Sequence, residues 1–392
     1  MGKVDERGLK LPDKVDVLIF AASYGGGHLQ AARALVEGFQ LIRPELRCTT
    51  VNFFRELSPT ANRLLEISYR QAVLRAPLLW KGLYRLTDRS GSGSRLERRL
   101  SRLFFRRTRS LLAAYNPRLL VSTHPMVSRI LGEMKRRGLV TLPLATVLTD
   151  QSLHSQWLHP CTDLYLAGSN YVRARLMRRG VPAERIAVTG IPISPSFALP
   201  RDRTATRKAL GLNPDLPVVL IMVGAQGLVP DAADLCAALA ALPLPLQVVF
   251  VAGHDERLRA QVQQLALGSR QPVHVLGFVT NIEEWMAASD ILVGKAGGLT
   301  TAEALARGLP LVIVHPIPGQ EEDNTRFLVH AGAAVRVEEI HEAAHAVEEI
   351  LTSPSRLAAM RRAAARIARP QAAEQAAQAI ANLLCGQAES LR

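Results

Sequence analysis

The sequence predicts an α/β protein of two Rossmann-like domains, whose parallel sheets face a central cleft. In both halves of the 392-residue chain, short apolar runs alternate with helical patterns, and such alternation produces parallel sheets. The pattern breaks at Gly190–Pro195 and then restarts, and the length suffices for two domains of ordinary size. We expect an N-terminal domain over 1–195, a C-terminal domain over 196–354, and a helical tail over 355–392 that packs back toward the first domain.

Five strands are predicted in the first half: Val15–Phe20, Arg47–Phe53, Leu119–Ser122, Leu144–Leu148 and Asp163–Ala167. A helix from His28 to Ile42 follows the first of these strands. A long, basic helical stretch over Ser58–Arg109 begins with a serine cap and a proline at its first helical position. Ser90–Ser94 alternates serine and glycine, and we expect it to interrupt this stretch as a loop.

The second half repeats the alternation. Its predicted strands are Val218–Val223, Gln247–Val251, Val273–Leu276, Ile291–Val293 and Leu311–Val314. The segment Ser355–Leu391 is rich in alanine and arginine and is predicted to be helical.

The net charge of +14 is concentrated in the first half, because residues 1–195 carry a net +17 and residues 196–392 a net −3. Ten basic residues lie within 81–109 among apolar ones, a pattern typical of a helix on an anionic membrane surface. A solvated helix face and a nucleic-acid contact are the alternatives, but no nucleic-acid motif accompanies the charge. The predicted membrane contacts are Arg95, Arg98, Arg99, Arg102, Phe104, Phe105, Arg106 and Arg107.

Cysteine usage and hydropathy argue against several classes of protein. The four cysteines lie far apart without a Cys-x-x-Cys motif, which argues against a zinc site and a disulfide framework. No apolar stretch approaches the roughly eighteen residues of a spanning helix, and the N-terminus has no apolar signal core. We expect a protein of the reducing cytosol that binds peripherally to the cytoplasmic face of the membrane.

A glycine-rich loop, Ser23–His28, joins the first strand to the first helix. It lacks the features of a dinucleotide fingerprint, so its glycines indicate close approach of another ligand. His28 has a pKa suited to proton transfer, and helix capping is its alternative role. Polar residues also follow other strands at the shared edge of the sheet, namely His124, Asp150 and His154. We interpret this group as a general base in a cleft, because no close metal-ligand spacing occurs.

The segment Lys295–Asn324 indicates a site for a diphosphate, a ribose and a sugar. Gly297–Gly298 stand between a strand and a helix that begins near Thr300, where backbone N–H groups and the helix N-terminus favour an anion. Glu303, in the first helical turn, is placed to accept from a ribose hydroxyl. The polar run Gly319–Asn324 follows the next strand, at the edge where α/β sheets bind ligands. A glycine-capped turn without a ligand is the alternative.

Together these motifs resemble the family of monogalactosyldiacylglycerol synthases and bacterial diacylglycerol glucosyltransferases, which are related to the lipid II synthase. The matching stretches follow the family's order along nearly the whole chain: Ser23–Ala32, Ser122–Pro125, Thr149–Asp150 with His154 and Trp157, Thr189–Ile193, and Lys295–Asn324. The resemblance implies a GT-B fold, a UDP-hexose donor bound by the C-terminal half, and a diacylglycerol acceptor at the membrane. It also implies an inverting reaction that forms a β-glycoside without a metal or cofactor.

The resemblance assigns roles to positions of this sequence. On the UDP-sugar side the residues are Gly224, Gly227, Phe278, Val279, Lys295, Gly297, Gly298, Leu299, Thr300, Glu303, Gln320 and Glu321. Among these, Phe278 and Val279 would edge the uracil, and Gln320 and Glu321 would hold hexose hydroxyls. On the acceptor side they are Gly26, Gly27, His124, His154 and Trp157, with His28 and Asp150 as candidate bases.

One position departs from the family pattern. Ser23 stands where plant galactolipid synthases have an aspartate, and a serine is no base at neutral pH. The role of base therefore falls to His28, to Asp150 or to a group elsewhere. Relatives with asparagine at this position resemble the glucosyl branch of the family. This favours glucose as the transferred sugar, and galactose stays the alternative.

Three other functions remain open. Transfer of N-acetylglucosamine to a polyprenyl-linked acceptor would be expected to use a different loop from Pro318–Glu321. A UDP-sugar epimerase on the same fold would leave the basic segment 81–109 unexplained. A membrane-docked sensor of nucleotide sugars would bind without turnover, and the acid–base candidates argue against it. In every case we expect no nucleic-acid partner.

Overall fold

The computed structural model of the chain describes residues 15–23, 27–60, 95–224 and 229–389, with isolated positions between 62 and 88. The backbone alone is described for 95–103 and 387–389. The described residues belong to two compact units. The first runs to Pro195 and takes in the segment from Gln371 onward, and the second spans Ser196–Pro370.

The first unit is built on a six-stranded parallel sheet with the order β2-β1-β3-β4-β5-β6. Its strands are β1 (Val17–Ala21), β2 (Cys48–Asn52), β3 (Leu119–Ser122), β4 (Leu144–Val147), β5 (Leu164–Ala167) and β6 (Ile186–Val188). The sequence predicts the first five. It does not predict β6, a three-residue edge strand too short to show periodicity.

Helices cover the faces of this sheet: α1 (Gly27–Ile42), α2 (Phe53–Leu57), α3 (Arg95–Tyr115), α4 (Pro125–Arg136) and α5 (Asn170–Arg178). Of the predicted helical stretch 58–109, the residues before α3 lie mostly outside the described part. Of the predicted membrane contacts, Phe105 belongs to the core of this unit, and Phe104 is partly buried and packs against that core, so a contact of either ring with a membrane stays a prediction. Phe105 is only 6% exposed, and the Phe104 ring lies 6.3 Å from that of Phe54.

The second unit repeats the architecture with the order β12-β11-β10-β7-β8-β9, again all parallel. Its strands are β7 (Val218–Met222), β8 (Gln247–Val251), β9 (Val273–Leu276), β10 (Ile291–Gly294), β11 (Leu311–Ile313) and β12 (Ala334–Arg336). Its helices are α6 (Arg203–Ala209), α7 (Ala232–Ala240), α8 (Glu256–Leu267), α9 (Ile282–Ala288), α10 (Gly298–Ala306), α11 (Gln320–Ala331), α12 (Ile340–Thr352) and α13 (Pro354–Ile367). The edge strand β12 is not predicted by the sequence.

The tail, expected as one helical segment, is two helices in different units. The helix α13 lies in the second unit, whereas α14 (Ala372–Glu389) lies in the first and packs on α1. Gly38 of α1 permits this close approach, since a Cβ there would lie 2.5 Å from the carbonyl oxygen of Ala373. Ala376 and Ile380 continue the contact into the core of the sheet. Within the described residues, no helix is both long and apolar enough to span a bilayer.

Candidate active site

A largely buried ion pair joins the loop after β10 to the start of α11, at the carboxyl edge of the second sheet. The Nζ atom of Lys295, after β10, lies 2.9 Å from Oε1 of Glu321, after β11. The other oxygen, Oε2, accepts from the backbone N–H of Ile317 at 2.9 Å. Because Glu321 is only 3% exposed, this pair fixes one amine next to the loop that precedes α10.

Glycines let the backbone approach this pair. Gly224, after β7, has a φ of +76°, and a Cβ there would lie 3.2 Å from Cε of Lys295. A Cβ on Gly297 would lie 3.8 Å from Oε1 of Glu321 and 4.0 Å from Oγ1 of Thr300. The structure therefore brings these five predicted residues together within one unit.

The N-terminus of α10 forms the next part of the site. Gly297 is its N-cap, and the first helical hydrogen bond runs from the N–H of Thr301 to the Gly297 carbonyl, at 2.9 Å. The N–H groups of Gly298, Leu299 and Thr300 precede this first bond, so the helix itself offers them no acceptor. Such N–H groups at a helix N-terminus suit an anion. Asn324, which the sequence does not single out as a site residue, braces this loop by donating to the Ala296 carbonyl at 2.8 Å.

The loop after β11 has an unusual backbone. His315 has a φ of +43°, and Gly319 a φ of +104° with a ψ of −107°. Gln320 follows as the first residue of α11, at the same edge as Glu321. A side chain at Gly319 would be strained, so a glycine there is what turns the chain into α11.

Glu303 lies on α10 and is partly buried, but it stands in the second turn of the helix and not in the first turn as predicted, because α10 begins at Gly298 and not near Thr300. Burial raises the pKa of its carboxyl to about 8, and the nearby Glu283 adds to the shift. Among the described residues, its carboxyl has no hydrogen-bond or ion-pair partner. A hydroxyl donor is the kind of group whose contact would stabilise the ionised form.

An exposed pair of stacked rings follows β8 and β9. The rings of His254 and Phe278 are 4.3 Å apart between centroids and inclined by only 9°. Phe278 is 49% exposed, and Val279 beside it is partly buried. His254 is not among the site residues predicted from the sequence. The available signal was Gly253-His254, which follows the predicted strand Gln247–Val251 after one residue and is similar to the glycine after a strand at Gly224.

In the first unit, His28 is held by two residues of the motifs that follow β3 and β4, Thr123 and Thr149, to which the sequence assigns no role of their own. Its Nδ1 atom lies 2.7 Å from the carbonyl oxygen of Thr123 and 3.0 Å from the hydroxyl of Thr149. A carbonyl only accepts, so Nδ1 carries the proton and the lone pair of the neutral ring lies on Nε2. Burial lowers the pKa of His28 to about 4. The imidazole is therefore neutral at physiological pH and has the form that a general base requires.

Two other predicted acceptor-side residues surround His28. The ring of His124 packs edge-on at 4.6 Å between centroids, and the Trp157 ring lies at 6.1 Å. Burial holds the pKa of His124 well below its usual value, and His28 adds to the shift. His154 has a local structural contact, because its Nδ1 accepts from the N–H of Gln156 at 3.2 Å and caps the short turn Ser155–Trp157.

The remaining predictions divide between placed and undescribed residues. Asp150 is partly buried and follows Thr149 directly. Ser23 exchanges hydrogen bonds with the buried Asn62 at 3.2 and 3.3 Å. Gly27 begins α1, whereas Gly26 and Gly227 lie outside the described residues. Within the described part of the chain, no group of three or more His, Cys, Asp or Glu side chains is arranged to hold a metal ion.

Of the predicted membrane contacts, Arg106 and Arg107 are exposed on α3. The backbone of the same helix includes four more of them, whose side chains are not described: Arg95, Arg98, Arg99 and Arg102.

Comparison with known proteins agrees with this division into two sites. The family model for monogalactosyldiacylglycerol synthase matches residues 28–193, and that for the C-terminal domain of glycosyltransferase family 28 matches residues 218–382. The processive diacylglycerol beta-glucosyltransferase of Bacillus subtilis is 31% identical over 351 residues, which cover 88% of this chain and 89% of that protein.

Solved structures share the fold at low identity. MurG of Acinetobacter baumannii has a TM-score of 0.61 at 18% identity, over 94% of this chain and 99% of that one. Anabaena HepE in complex with UDP-glucose has a TM-score of 0.55 at 18% identity, over 94% and 100%. The predicted GT-B fold is thus confirmed. The chain belongs to the glycosyltransferase family of the processive diacylglycerol beta-glucosyltransferases, as its motifs predict.

Proposed function

We propose that this enzyme transfers glucose from UDP-glucose to the hydroxyl of diacylglycerol at the cytoplasmic face of the membrane, forming a β-glucosyl diacylglycerol. The observation that carries the chemistry is His28, a neutral imidazole whose Nδ1–H is held by Thr123 while Nε2 keeps its lone pair. The choice of glucose and of diacylglycerol rests on the relative at 31% identity, whose name states both.

The proposed reaction is a single displacement with inversion. The His28 Nε2 atom takes the proton of the acceptor hydroxyl as that oxygen attacks the anomeric carbon, and the bond from this carbon to the UDP oxygen breaks. The charge that develops on the diphosphate is stabilised by the N–H groups at the start of α10 and by the amine of Lys295. These donors replace a metal ion, so the reaction proceeds without one.

We expect the parts of the donor to contact different residues along the carboxyl edge of the second sheet. In this proposal the ribose donates to the Glu303 carboxyl, the hexose hydroxyls meet Gln320 and Glu321, and the uracil lies against Phe278. The buried Lys295–Glu321 pair supports these roles, because it holds the diphosphate-binding and sugar-binding loops in one arrangement.

Product formation tests the proposal. Purified protein is mixed with diacylglycerol in micelles that contain an anionic phospholipid, separately with UDP-glucose, UDP-galactose and UDP-N-acetylglucosamine, all in excess EDTA. We expect a β-linked glucolipid from UDP-glucose and little product from the other donors. Turnover of the nucleotide sugar without a glycolipid would contradict the acceptor, and a requirement for divalent metal would contradict the metal-free mechanism.

A further inference from the structure

A groove on the first unit lies between α3 and the residues that follow α4. Its volume is about 650 Å³. It is lined by Phe105, Arg106, Arg109, Ser110, Ala113, Arg137 and Leu139. Four of these residues stand at helical spacing on one stripe of α3, at positions 106, 109, 110 and 113. Neither the donor site nor the surroundings of His28 involve any of them.

The groove has three guanidinium groups, and little neutralises them. Arg106 and Arg109 are exposed, and neither side chain has a partner among the described residues. Arg137 donates to Glu133 at 2.7 Å, but the same carboxylate also pairs with Arg136. One acid thus serves two arginines, and the groove retains a net positive charge.

An apolar floor accompanies the arginines. The Arg137 guanidinium lies 5.1 Å above the ring of Phe105, which belongs to the core. Leu139 lies beside the arginines and is 39% exposed. Guanidinium groups bind phosphate oxygens, and an adjoining apolar surface suits the start of an acyl chain. A free phosphate or a nucleic-acid backbone would use the arginines and leave the floor in water.

We infer that this groove binds the headgroup of one anionic phospholipid, with the phosphate at the arginines and the glycerol and first methylenes over Ala113 and Leu139. The inference rests on the proposed action at a membrane and specifies how the first unit would meet it. The groove uses the exposed stripe of α3 and reaches Phe105 only at its floor, below the Arg137 guanidinium.

Sedimentation with vesicles tests the groove. The probes are phosphatidylcholine vesicles with and without phosphatidylglycerol, and binding of the wild type should be at least tenfold stronger with phosphatidylglycerol. The Arg106→Ala/Arg109→Ala variant should bind the anionic vesicles roughly thirtyfold less, the change expected for two basic residues at an anionic surface. The matched control Arg173→Ala/Arg178→Ala removes the same charge from α5 of the same unit and should change binding less than threefold.

A second variant probes the floor without changing charge. Leu139→Ser should weaken binding to anionic vesicles about fivefold, the loss expected for removal of part of an apolar contact. Soluble glycerol phosphate at millimolar concentration should not compete. Equal losses in the α5 control, or competition by glycerol phosphate, would overturn the lipid groove.

Failure of the groove and failure of the proposed function give different results. Glycolipid synthesis by the wild type is measured separately, in neutral detergent micelles. If the wild type makes glucolipid and the Arg106→Ala/Arg109→Ala variant still binds anionic vesicles normally, the groove alone is refuted. Wild type that makes no glycolipid but binds vesicles through these arginines would refute the proposed function alone.

Discussion

The two units have the same sheet architecture but build their sites from opposite kinds of groups. In the second unit, a lysine, a buried carboxylate and a helix N-terminus meet at the strand ends. In the first, the groups that the structure places on His28 are a carbonyl, a hydroxyl and aromatic rings, none of them charged. This contrast holds although residues 1–195, which form most of the first unit, carry a net charge of +17, whereas residues 196–392 carry −3.

The difference follows from the chemistry that each site is proposed to perform. A diphosphate is an anion before, during and after the reaction, so fixed positive groups stabilise it throughout. A histidine that acts as a general base must be unprotonated before it takes a proton. Burial or a nearby cation lowers its pKa and keeps it so, whereas a nearby carboxylate would raise its pKa. In the first unit, burial alone lowers the pKa of His28. The positive charge of that unit is therefore not required next to His28 and is available for contacts at the surface.

The strongest test of this contrast removes the base. In His28→Asn the side-chain amide can still donate to Thr123, but no lone pair of comparable basicity remains. We expect kcat to fall by about a hundredfold to ten-thousandfold, the usual contribution of a positioned base, with an unchanged Kd for UDP measured by calorimetry. If the variant keeps a near-normal kcat, another group is the base, and Asp150 is the next candidate to test.

The pH profile provides the control for this variant. Because the pKa of His28 is lowered to about 4, its basic form is lost only as the pH falls toward that value. The wild-type kcat/KM should thus stay level through neutral pH and decline on the acid side near pH 4. Thr149→Val removes one of the two contacts to Nδ1, and kcat should fall about tenfold or less because the hydroxyl positions the ring. The acid side of the profile should not shift, because the contact with the Thr123 carbonyl remains.

The sequence predicts much of the fold because most of its strands, such as β1 and β7, are continuous apolar runs, and such runs identify buried parallel strands. It misses β6 and β12, which have three residues each and lie at sheet edges. It locates the glycine turns and the residues that follow strands, since parallel topology alone brings those positions to one edge.

The parts of the site that sequence does not predict depend on tertiary contacts. Thr123 and Thr149 contact His28 across 95 and 121 residues, and although both lie in motifs after strands, their local sequence does not reveal this contact. Phe104 and Phe105 show a related difficulty. An apolar stripe on a basic helix has the same period whether it packs on a protein core or on lipid, so the pattern predicts amphipathicity and leaves the partner undetermined.

A smaller effect is expected from the ion pair of the second unit. Glu321→Gln leaves Lys295 without its carboxylate, so the amine is no longer held beside α10. We expect the Kd for UDP to rise about tenfold and that for UDP-glucose to rise further, since a charge-assisted hydrogen bond contributes roughly 1.5–3 kcal/mol. The matched control is Arg326→Met, which breaks the exposed pair with Asp323 on the same helix and should leave both constants unchanged. A loss confined to UDP-glucose would mean that Glu321 contacts the hexose without positioning Lys295.

The smallest and most specific test concerns Glu303, where the second unit departs from its own pattern of ionised groups. A pKa of about 8 means that this carboxyl is mostly protonated at pH 7 in the unliganded protein. Because the folded pKa is raised, the contribution of Glu303 to stability is complete below the ordinary carboxyl pKa and is lost as the pH rises through about 8. A ribose hydroxyl that donates to the carboxylate would lower this pKa and cause release of a proton on binding.

We therefore expect calorimetry in buffers of different ionisation enthalpy to show proton release when UDP binds at pH 7. The affinity should rise with pH toward about 8, by at most tenfold per pH unit, because one group titrates. Glu303→Gln should remove the part of this dependence that does not come from UDP itself. Glu283→Gln should reduce it, since Glu283 adds to the raised pKa of Glu303. The same pH dependence in wild type and in Glu303→Gln would show that the ribose does not meet this carboxyl, and the second unit would then recognise its ligand through the Lys295–Glu321 pair and the backbone of α10 alone.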